Sequence, residues 1–141
     1  MEANNLSILI DADALVAIMK PDDTNHQDAL VLKDFLKKKK ADQYLSLFTV
    51  PETATVLSHR INQDAARDFL LLAEDFAYTV LDFNDAFKKK ANKWFIKQNK
   101  KGTSYFDCVN MALMEIFSFD AIFSFDKIYS QNGFKLVADL K

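Results

Sequence analysis

The chain has 141 residues and a formal net charge of −2, and half of its residues are apolar, including 13 phenylalanines. This length and apolar content suffice for one hydrophobic core and exclude a disordered chain, while the small net charge excludes a general nucleic-acid binder that works by bulk positive charge. We expect a cytoplasmic protein that is not a membrane protein, because no apolar run reaches the roughly 18 residues of a membrane helix, the opening residues are polar and unlike a secretion signal, and one cysteine permits no internal disulfide.

Apolar runs and helical periodicity predict strands that alternate with helices along the whole chain. The strands are predicted at 6–10, 44–48, 79–83, 121–125 and 134–137. The helices are predicted at 12–19, 25–39, 50–61, 64–76, 84–98 and 106–117. This alternation predicts an α/β fold in which residues 1–141 form a single domain, with a parallel five-stranded sheet flanked by helices on both faces.

The predicted helix at 106–117 is expected to lie at the centre of the fold. Nearly all of its side chains are apolar around the whole circumference, which is typical of a helix packed on several neighbours. Its polar exceptions include Asp107 and Asn110, which lie on one side of the helix. Cys108 is interpreted as a buried structural thiol, because adjacent helical residues point about 100° apart and Asp107 would not activate it.

Four acidic residues are predicted to meet at one edge of the sheet. Asp11 and Asp126 follow predicted strands, whereas Glu52 and Asp107 lie in the first turns of predicted helices. In a parallel α/β fold the C-termini of the strands and the N-termini of the helices share the edge at which ligands bind. Carboxylate oxygens at such an edge suit Mg²⁺ or Mn²⁺.

Helix capping is the alternative explanation for each of these acids. Glu52 stands at capping-box spacing from Thr49, and Asp107 stands at the same spacing from Ser104. The two acids that follow strands could each cap the short helix that comes next. Four carboxylates at one edge repel one another and raise each other's pKa, so the set as a whole favours a metal site over four separate caps.

Four segments resemble, in chain order, the acidic motifs of PIN-domain ribonucleases. The segments are ILIDADALVAI, TVPETATVL, TSYFDCVNMAL and IFSFDKIY. The residues that match the motif acids are Asp11, Glu52, Asp107 and Asp126. Ser124 stands at a Thr/Ser position of the last motif, and Asp13 falls where the family often has Asn, Ser or Thr. The resemblance covers the whole chain and implies a single PIN-like domain similar to the VapC-type toxins of toxin–antitoxin pairs.

The resemblance implies metal-dependent hydrolysis of RNA phosphodiester bonds. Mg²⁺ or Mn²⁺ held by the four acids would activate water for in-line attack. Asp11 and Asp107 would be the main ligands, and the other two acids would bind through water or a second ion. Ser124 would orient Asp126 or a metal-bound water, and Asp13 and Asn110 would support the site.

The same resemblance implies three partners: an RNA substrate, a cognate antitoxin protein and a second copy of the chain in a homodimer. The predicted helices at 28–36 and 64–76 carry apolar surface for that dimer, including residues 69–72. Lys89, Lys93 and Lys97 form an outward stripe that could hold the RNA backbone, although a solvated helix face explains the stripe equally well.

Three other functions remain open from the sequence. The Asp11-x-Asp13 pair also resembles the opening of haloacid-dehalogenase-type phosphatases, with Asp11 as nucleophile, but those enzymes close with an acidic pair and Asp126 stands alone. A receiver domain would need a phosphoacceptor at the end of a middle strand, whereas Asp82 lies inside its predicted strand. A PIN-like scaffold that binds RNA or protein without cutting is the non-enzymatic alternative.

Overall fold

The computed structural model describes residues 5–141, so residues 1–4, part of the polar start from which we predicted no secretion signal, lie outside it. The strands are β1 (Ser7–Ile10), β2 (Asp42–Ser46), β3 (Thr79–Leu81) and β4 (Ala121–Phe123). The helices are α1 (Ala12–Met19), α2 (His26–Lys38), α3 (Thr49–Arg60), α4 (Gln63–Ala73), α5 (Asp85–Lys97), α6 (Tyr105–Phe117) and α7 (Ile128–Gln131), followed by a 3-10 helix at Val137–Leu140. Among these elements, none of the helices combines the length and the hydropathy needed to cross a membrane.

The strands form one parallel sheet in the order β3-β2-β1-β4. The predicted α/β fold is therefore confirmed. Successive residues of β1 point to opposite faces of the sheet: Ile8 and Ile10 belong to a core that includes residues of α1 to α4, and Leu9 belongs to a second core that includes residues of α5 and α6. Helices thus cover both faces, which places β1 at the centre of the molecule.

The predicted fifth strand at 134–137 is wrong. This segment makes one isolated parallel bridge, between Ile122 and Leu136, and the chain then enters the 3-10 helix. The physical reason is a local turn: the Asp139 side chain accepts the Leu136 N–H at 3.1 Å, and the Asp139 N–H donates to the Leu136 carbonyl at 2.9 Å. These bonds occupy the backbone groups that would otherwise continue a strand ladder.

The predicted capping box at the start of α3 is also wrong. Strand β2 ends at Ser46, whose Oγ accepts the Phe48 N–H at 3.2 Å and lies 3.1 Å from the Thr49 hydroxyl. Thr49 is consequently the first residue of α3 rather than its cap, and Phe48 at the N-cap position makes no side-chain cap. Glu52 is therefore free of a capping role and lies one turn into the helix.

Helix α6 occupies the central position expected of it. Its residues 108–114 are all buried, and Asn110 is the polar member of this run. Cys108 is fully buried, and burial together with the charge of Asp107 raises the pKa of its thiol to about 11. A thiol that stays protonated at neutral pH agrees with the structural role predicted for it.

Candidate active site

Five carboxylates and one guanidinium line a pocket at the edge of the sheet where the strands end. The side chains are those of Asp11, Asp13, Glu52, Asp107, Asp126 and Arg60. The pocket has a volume of about 240 Å³, which admits several water molecules, since one water needs only about 10–15 Å³. The structure thus brings the four predicted motif acids to one pocket and adds Asp13, predicted as a supporting residue, to its lining.

Asp11 is a buried carboxylate with a hydrogen-bond donor at each acceptor position. Its Oδ1 accepts the backbone N–H of Ala12 at 2.8 Å and Nδ2 of Asn110 at 3.1 Å. Its Oδ2 accepts the hydroxyls of Ser124 at 2.9 Å and Tyr129 at 3.1 Å. A carboxylate has about four lone-pair positions, so these four donors satisfy Asp11 and fix the orientation of its plane.

Tyr129 is a residue of this site that the sequence analysis missed. Its side chain is fully buried, and its hydroxyl lies 3.1 Å from both Asp11 Oδ2 and Asp107 Oδ1. The same hydroxyl accepts Nδ2 of Asn110 at 3.0 Å, so the predicted supporting residue Asn110 contacts both Asp11 and Tyr129. The available signal was limited to a tyrosine three residues after Asp126, and the polar sequence around it gave no indication that its hydroxyl is buried.

Ser124 and Asp13 connect the loop after β4 to the start of α1. Ser124 Oγ donates to Asp11 and accepts the backbone N–H of Asp126 at 3.1 Å. Asp13 Oδ2 accepts the backbone N–H of Phe125 at 3.0 Å. These contacts hold the backbone that carries Asp126 against the pocket. The other oxygen of Asp13, Oδ1, is buried and has no hydrogen-bond partner within residues 5–141.

Capping explains only part of the arrangement of the acids. Asp11 and Asp126 each accept a backbone N–H at the start of the helix that follows, at 2.8 and 3.0 Å. Helix α6 is capped by Ser104, whose Oγ accepts a backbone N–H at 3.2 Å. Asp107, one turn further on, instead contacts the Tyr129 hydroxyl. Glu52 and Asp107 therefore face the pocket without a capping function.

Burial and mutual repulsion raise the pKa of Asp11, Asp13, Glu52 and Asp107. The pKa of Asp13 is raised to about 8, first by burial and then by the charge of Asp11. Burial and the charges of neighbouring acids raise the pKa of Glu52 and of Asp107 to about 7. Burial also raises the pKa of Asp11, against the lowering effect of its hydrogen bonds. Near neutral pH the cluster therefore retains protons that a bound cation would displace.

The oxygen donors of the pocket fit a hard divalent cation. Within residues 5–141 no three His, Cys, Asp or Glu side chains are placed so that they could hold one ion together. Mg²⁺ does not need such a set, because it keeps several waters and binds through one or two carboxylates. The unpartnered, buried Asp13 Oδ1 is an acceptor that a hydrated cation could satisfy. The residues thus fit an ion bound through one or two carboxylates and water.

Within residues 5–141, Arg60 is the only cation that lines this pocket, and the sequence analysis missed it. It is the last residue of α3 and follows Glu52 and Val56 at helical spacing, so all three lie on one face of the helix. That periodicity was the signal available in the sequence. Arg60 is exposed and makes no ion pair within the described part of the chain.

The lysine stripe does not reach the pocket. Lys89, Lys93 and Lys97 are exposed on α5, and none of them lines the pocket. Lys97 Nζ lies 4.4 Å from the centre of the Trp94 ring, which is a cation–π contact on the helix's own surface. An RNA-binding role for this stripe stays a prediction.

Comparison with known proteins gives one family match and several similar folds. The model of the PIN domain family matches residues 8–135. The structure of VapC20 from Mycobacterium tuberculosis, described as a sarcin-ricin loop cleaving toxin, is similar with a TM-score of 0.78 and 21% identity, over 90% of this chain and 95% of that one. VapBC2 from Rickettsia felis, bound to promoter DNA, is similar with a TM-score of 0.65 and 10% identity, over 90% and 92% of the two chains. No curated protein matches.

Proposed function

This chain belongs to the PIN domain family, and from that premise we propose that it is a divalent-metal-dependent endoribonuclease, the toxin of a toxin–antitoxin pair. The observation that carries the proposal is that one pocket is lined by the four motif acids together with the guanidinium of Arg60. The family match leaves the phosphatase and receiver-domain alternatives without support. The non-catalytic PIN-like scaffold remains the alternative that an assay has to exclude.

The proposed chemistry assigns distinct tasks to several side chains of the site. When bound, Mg²⁺ or Mn²⁺ supplies a Lewis acid that activates water and stabilises negative charge on the phosphate. Asp11 and Asp107 are the proposed ligands, and Ser124 holds Asp11 while it fixes the backbone of Asp126. Glu52, whose pKa is raised to about 7, is suited to accept a proton from the attacking water, because a base acts best when its pKa lies near the working pH.

A cleavage assay tests the proposed activity directly. Total RNA that contains ribosomal RNA is a suitable substrate, since VapC20, which has a similar fold, is described as a sarcin-ricin loop cleaving toxin. We expect discrete cleavage products with Mg²⁺ or Mn²⁺ and none with a chelator. If the protein binds RNA and Mn²⁺ but releases no products under any of these conditions, the scaffold alternative is correct and the nuclease is not.

We also propose a cognate antitoxin as a protein partner, and this proposal follows from the resemblance to VapC-type toxins. A cytoplasmic location remains a prediction. Co-expression with the product of the adjacent gene, followed by purification through a tag on one chain, tests the partnership. Recovery of a stable two-protein complex that no longer cleaves RNA is the expected result, whereas separate elution of the two proteins would contradict it.

Replacing Arg60 by Ala should lower kcat/KM for RNA cleavage by roughly 10-fold or more, mainly through a higher KM. Among the described residues that line the pocket, Arg60 alone carries a positive charge, and charge-assisted contacts to phosphate are among the stronger hydrogen bonds. Arg67→Ala is the matched control, because Arg67 is an exposed arginine on α4 that pairs with Asp64 outside the pocket. Equal KM values in the two variants would remove Arg60 from substrate binding.

The proposed homodimer has a candidate surface on α4. Three consecutive leucines, Leu70, Leu71 and Leu72, are 44%, 65% and 49% exposed. Exposed apolar surface of this kind favours association with a partner that buries it. The sequence analysis placed Phe69 on the same surface, and that assignment is wrong, because Phe69 is fully buried in the core.

Leu71→Glu should convert the proposed dimer into a monomer, as measured by sedimentation velocity at tens of micromolar. A charge in the middle of an apolar interface is costly to desolvate. Ile96→Glu on α5 is the matched comparison, since Ile96 is 79% exposed on a different helix. Dissociation by Ile96→Glu but not by Leu71→Glu would move the interface to α5.

A further inference from the structure

The hydroxyl of Tyr129 has more hydrogen-bond partners than it has protons. It lies within 3.1 Å of a carboxylate oxygen of both Asp11 and Asp107, and within 3.0 Å of the Asn110 amide nitrogen. The amide nitrogen can only donate, so its N–H group occupies a lone pair of the hydroxyl oxygen. The single hydroxyl proton can therefore bond to one carboxylate at a time. Rotation about the Cζ–O bond moves that bond from one acid to the other without moving a heavy atom.

The position of this hydroxyl is fixed by the fold. The Tyr129 side chain is fully buried and belongs to the core cluster that contains most of α6. Its carbonyl accepts the backbone N–H groups of Asn132 at 3.1 Å and Phe134 at 2.9 Å. Because the ring is packed in the core, it does not move when the O–H bond rotates. The hydroxyl oxygen therefore keeps a fixed position between the two acids.

The four donors to Asp11 differ in how easily they can be redirected. The Ala12 N–H belongs to the backbone, and the Ser124 hydroxyl donates to Asp11 at 2.9 Å with Asp13 also near it. The Asn110 amide spans Asp11 and Tyr129. The Tyr129 hydroxyl, by contrast, already has a second carboxylate in reach at the same distance. If its proton turns to Asp107, a lone pair on Asp11 Oδ2 becomes available.

We propose that Tyr129 is a positioning residue of this site. In the metal-free protein its hydroxyl donates to Asp11 or to Asp107, one at a time, from an oxygen fixed between them, and by turning to Asp107 it frees a lone pair on Asp11 for a divalent cation. The inference deepens the proposed function and rests on it in one respect, namely that Asp11 is a metal ligand. Tyr129 itself touches neither the RNA nor the metal in this account, and it acts through the two carboxylates.

The test replaces Tyr129 by Phe, which keeps the ring and removes the hydroxyl. This change frees Asp11 Oδ2, but it also removes the one donor that positions both carboxylates. We therefore expect Mn²⁺ affinity, measured by calorimetry, to fall roughly 10- to 100-fold, as is typical when a group that orients a metal ligand is lost. A rise in affinity would mean that the hydroxyl only blocks Asp11, and it would overturn the proposal. RNA cleavage should lose kcat with an unchanged KM. Tyr105→Phe is the matched control, because its hydroxyl bonds to Asn92 on the surface, and it should leave both quantities unchanged.

If Tyr129 only fills the core, Tyr129→Phe leaves Mn²⁺ affinity within about twofold of the wild type, and the proposal is overturned. Should the variant fail to fold, the wild type still decides the question. Of the four tyrosines, labelled with ¹³C at Cζ, only Tyr129 should change its NMR shift on addition of Mg²⁺, and an unchanged Tyr129 signal would contradict the proposal. If the wild type binds Mn²⁺ and cleaves no RNA, the nuclease function is wrong, while the affinity comparison still decides the role of Tyr129.

Discussion

Replacing Asp107 by Asn should abolish metal-dependent RNA cleavage and, at pH 8, raise the melting temperature of the metal-free protein. Burial, then the charges of Asp11 and Asp126, raise the pKa of Asp107 to about 7, so at pH 8 its charge is present and destabilises the fold. Asn removes that charge and keeps an Oδ1 that can accept the Tyr129 hydroxyl. We expect cleavage to fall by about 10³-fold or more, as is common when a group that acts in concert with others is lost.

Asp85→Asn is the matched control for this prediction. Asp85 and Asp107 both lie in the first turn of a helix, but Asp85 is exposed and does not line the pocket. Its replacement should leave cleavage unchanged and cost at most about 1 kcal/mol of the free energy of unfolding, through the lost interaction with the helix dipole. If Asp107→Asn behaves like Asp85→Asn in both assays, Asp107 serves its helix and not a catalytic site.

The sequence did not distinguish Asp11 from Asp107, and the structure does. An Asn at position 11 would place an NH₂ group against the hydroxyls of Ser124 and Tyr129, which both donate to Asp11 Oδ2. The Tyr129 hydroxyl can turn to Asp107, but the Ser124 hydroxyl would have to find another acceptor in a buried setting, and a buried group left unsatisfied costs about 1–3 kcal/mol. Relief of charge repulsion therefore competes with lost hydrogen bonds at Asp11, whereas at Asp107 it does not.

What the sequence could predict depended on local periodicity and chain topology. Strand and helix alternation predicted the parallel sheet, and the topology of such sheets placed Asp11, Glu52, Asp107 and Asp126 at one edge without knowledge of any contact. The fifth strand failed because a side chain, that of Asp139, closes a turn over the backbone that would have continued the sheet. Such a turn is invisible to apolar patterning.

The contacts inside the site could not be predicted in the same way. Tyr129 meets Asp11 across 118 residues of sequence, and this meeting depends on how α7 packs against α6. Arg60 is a different case from Tyr129. Its helical spacing from Glu52 could be read from the sequence, but the sequence did not show that this face of α3 lines the pocket. Phe69 shows the converse error: its helix was predicted, but the rotation of that helix against the core was not.

The metal-free protein should lose stability as the pH rises from 5 to 9, and saturating Mn²⁺ should suppress that loss. The pKa values of Asp13, Glu52 and Asp107 are raised to about 8, 7 and 7, from ordinary values near 4. Between the ordinary and the raised values the folded state binds more protons than the unfolded state, so the free energy of unfolding falls with pH. Because the three groups are coupled and partly solvated, we expect a total loss of about 2–5 kcal/mol rather than the sum of the separate shifts.

Urea titrations at pH 5, 7 and 9, with Mn²⁺ and with a chelator, measure this dependence. Mn²⁺ compensates the same charges that the protons neutralise, and it competes best at high pH, where the acids are ionised. The metal-free slope should be smaller in Asp107→Asn, which lacks one of the three titrating groups, and unchanged in Asp85→Asn. The prediction is contradicted if the metal-free stability stays level or increases from pH 5 to 9. That result would mean that folding does not raise the pKa of these acids and that their charges do not favour cation binding in the pocket.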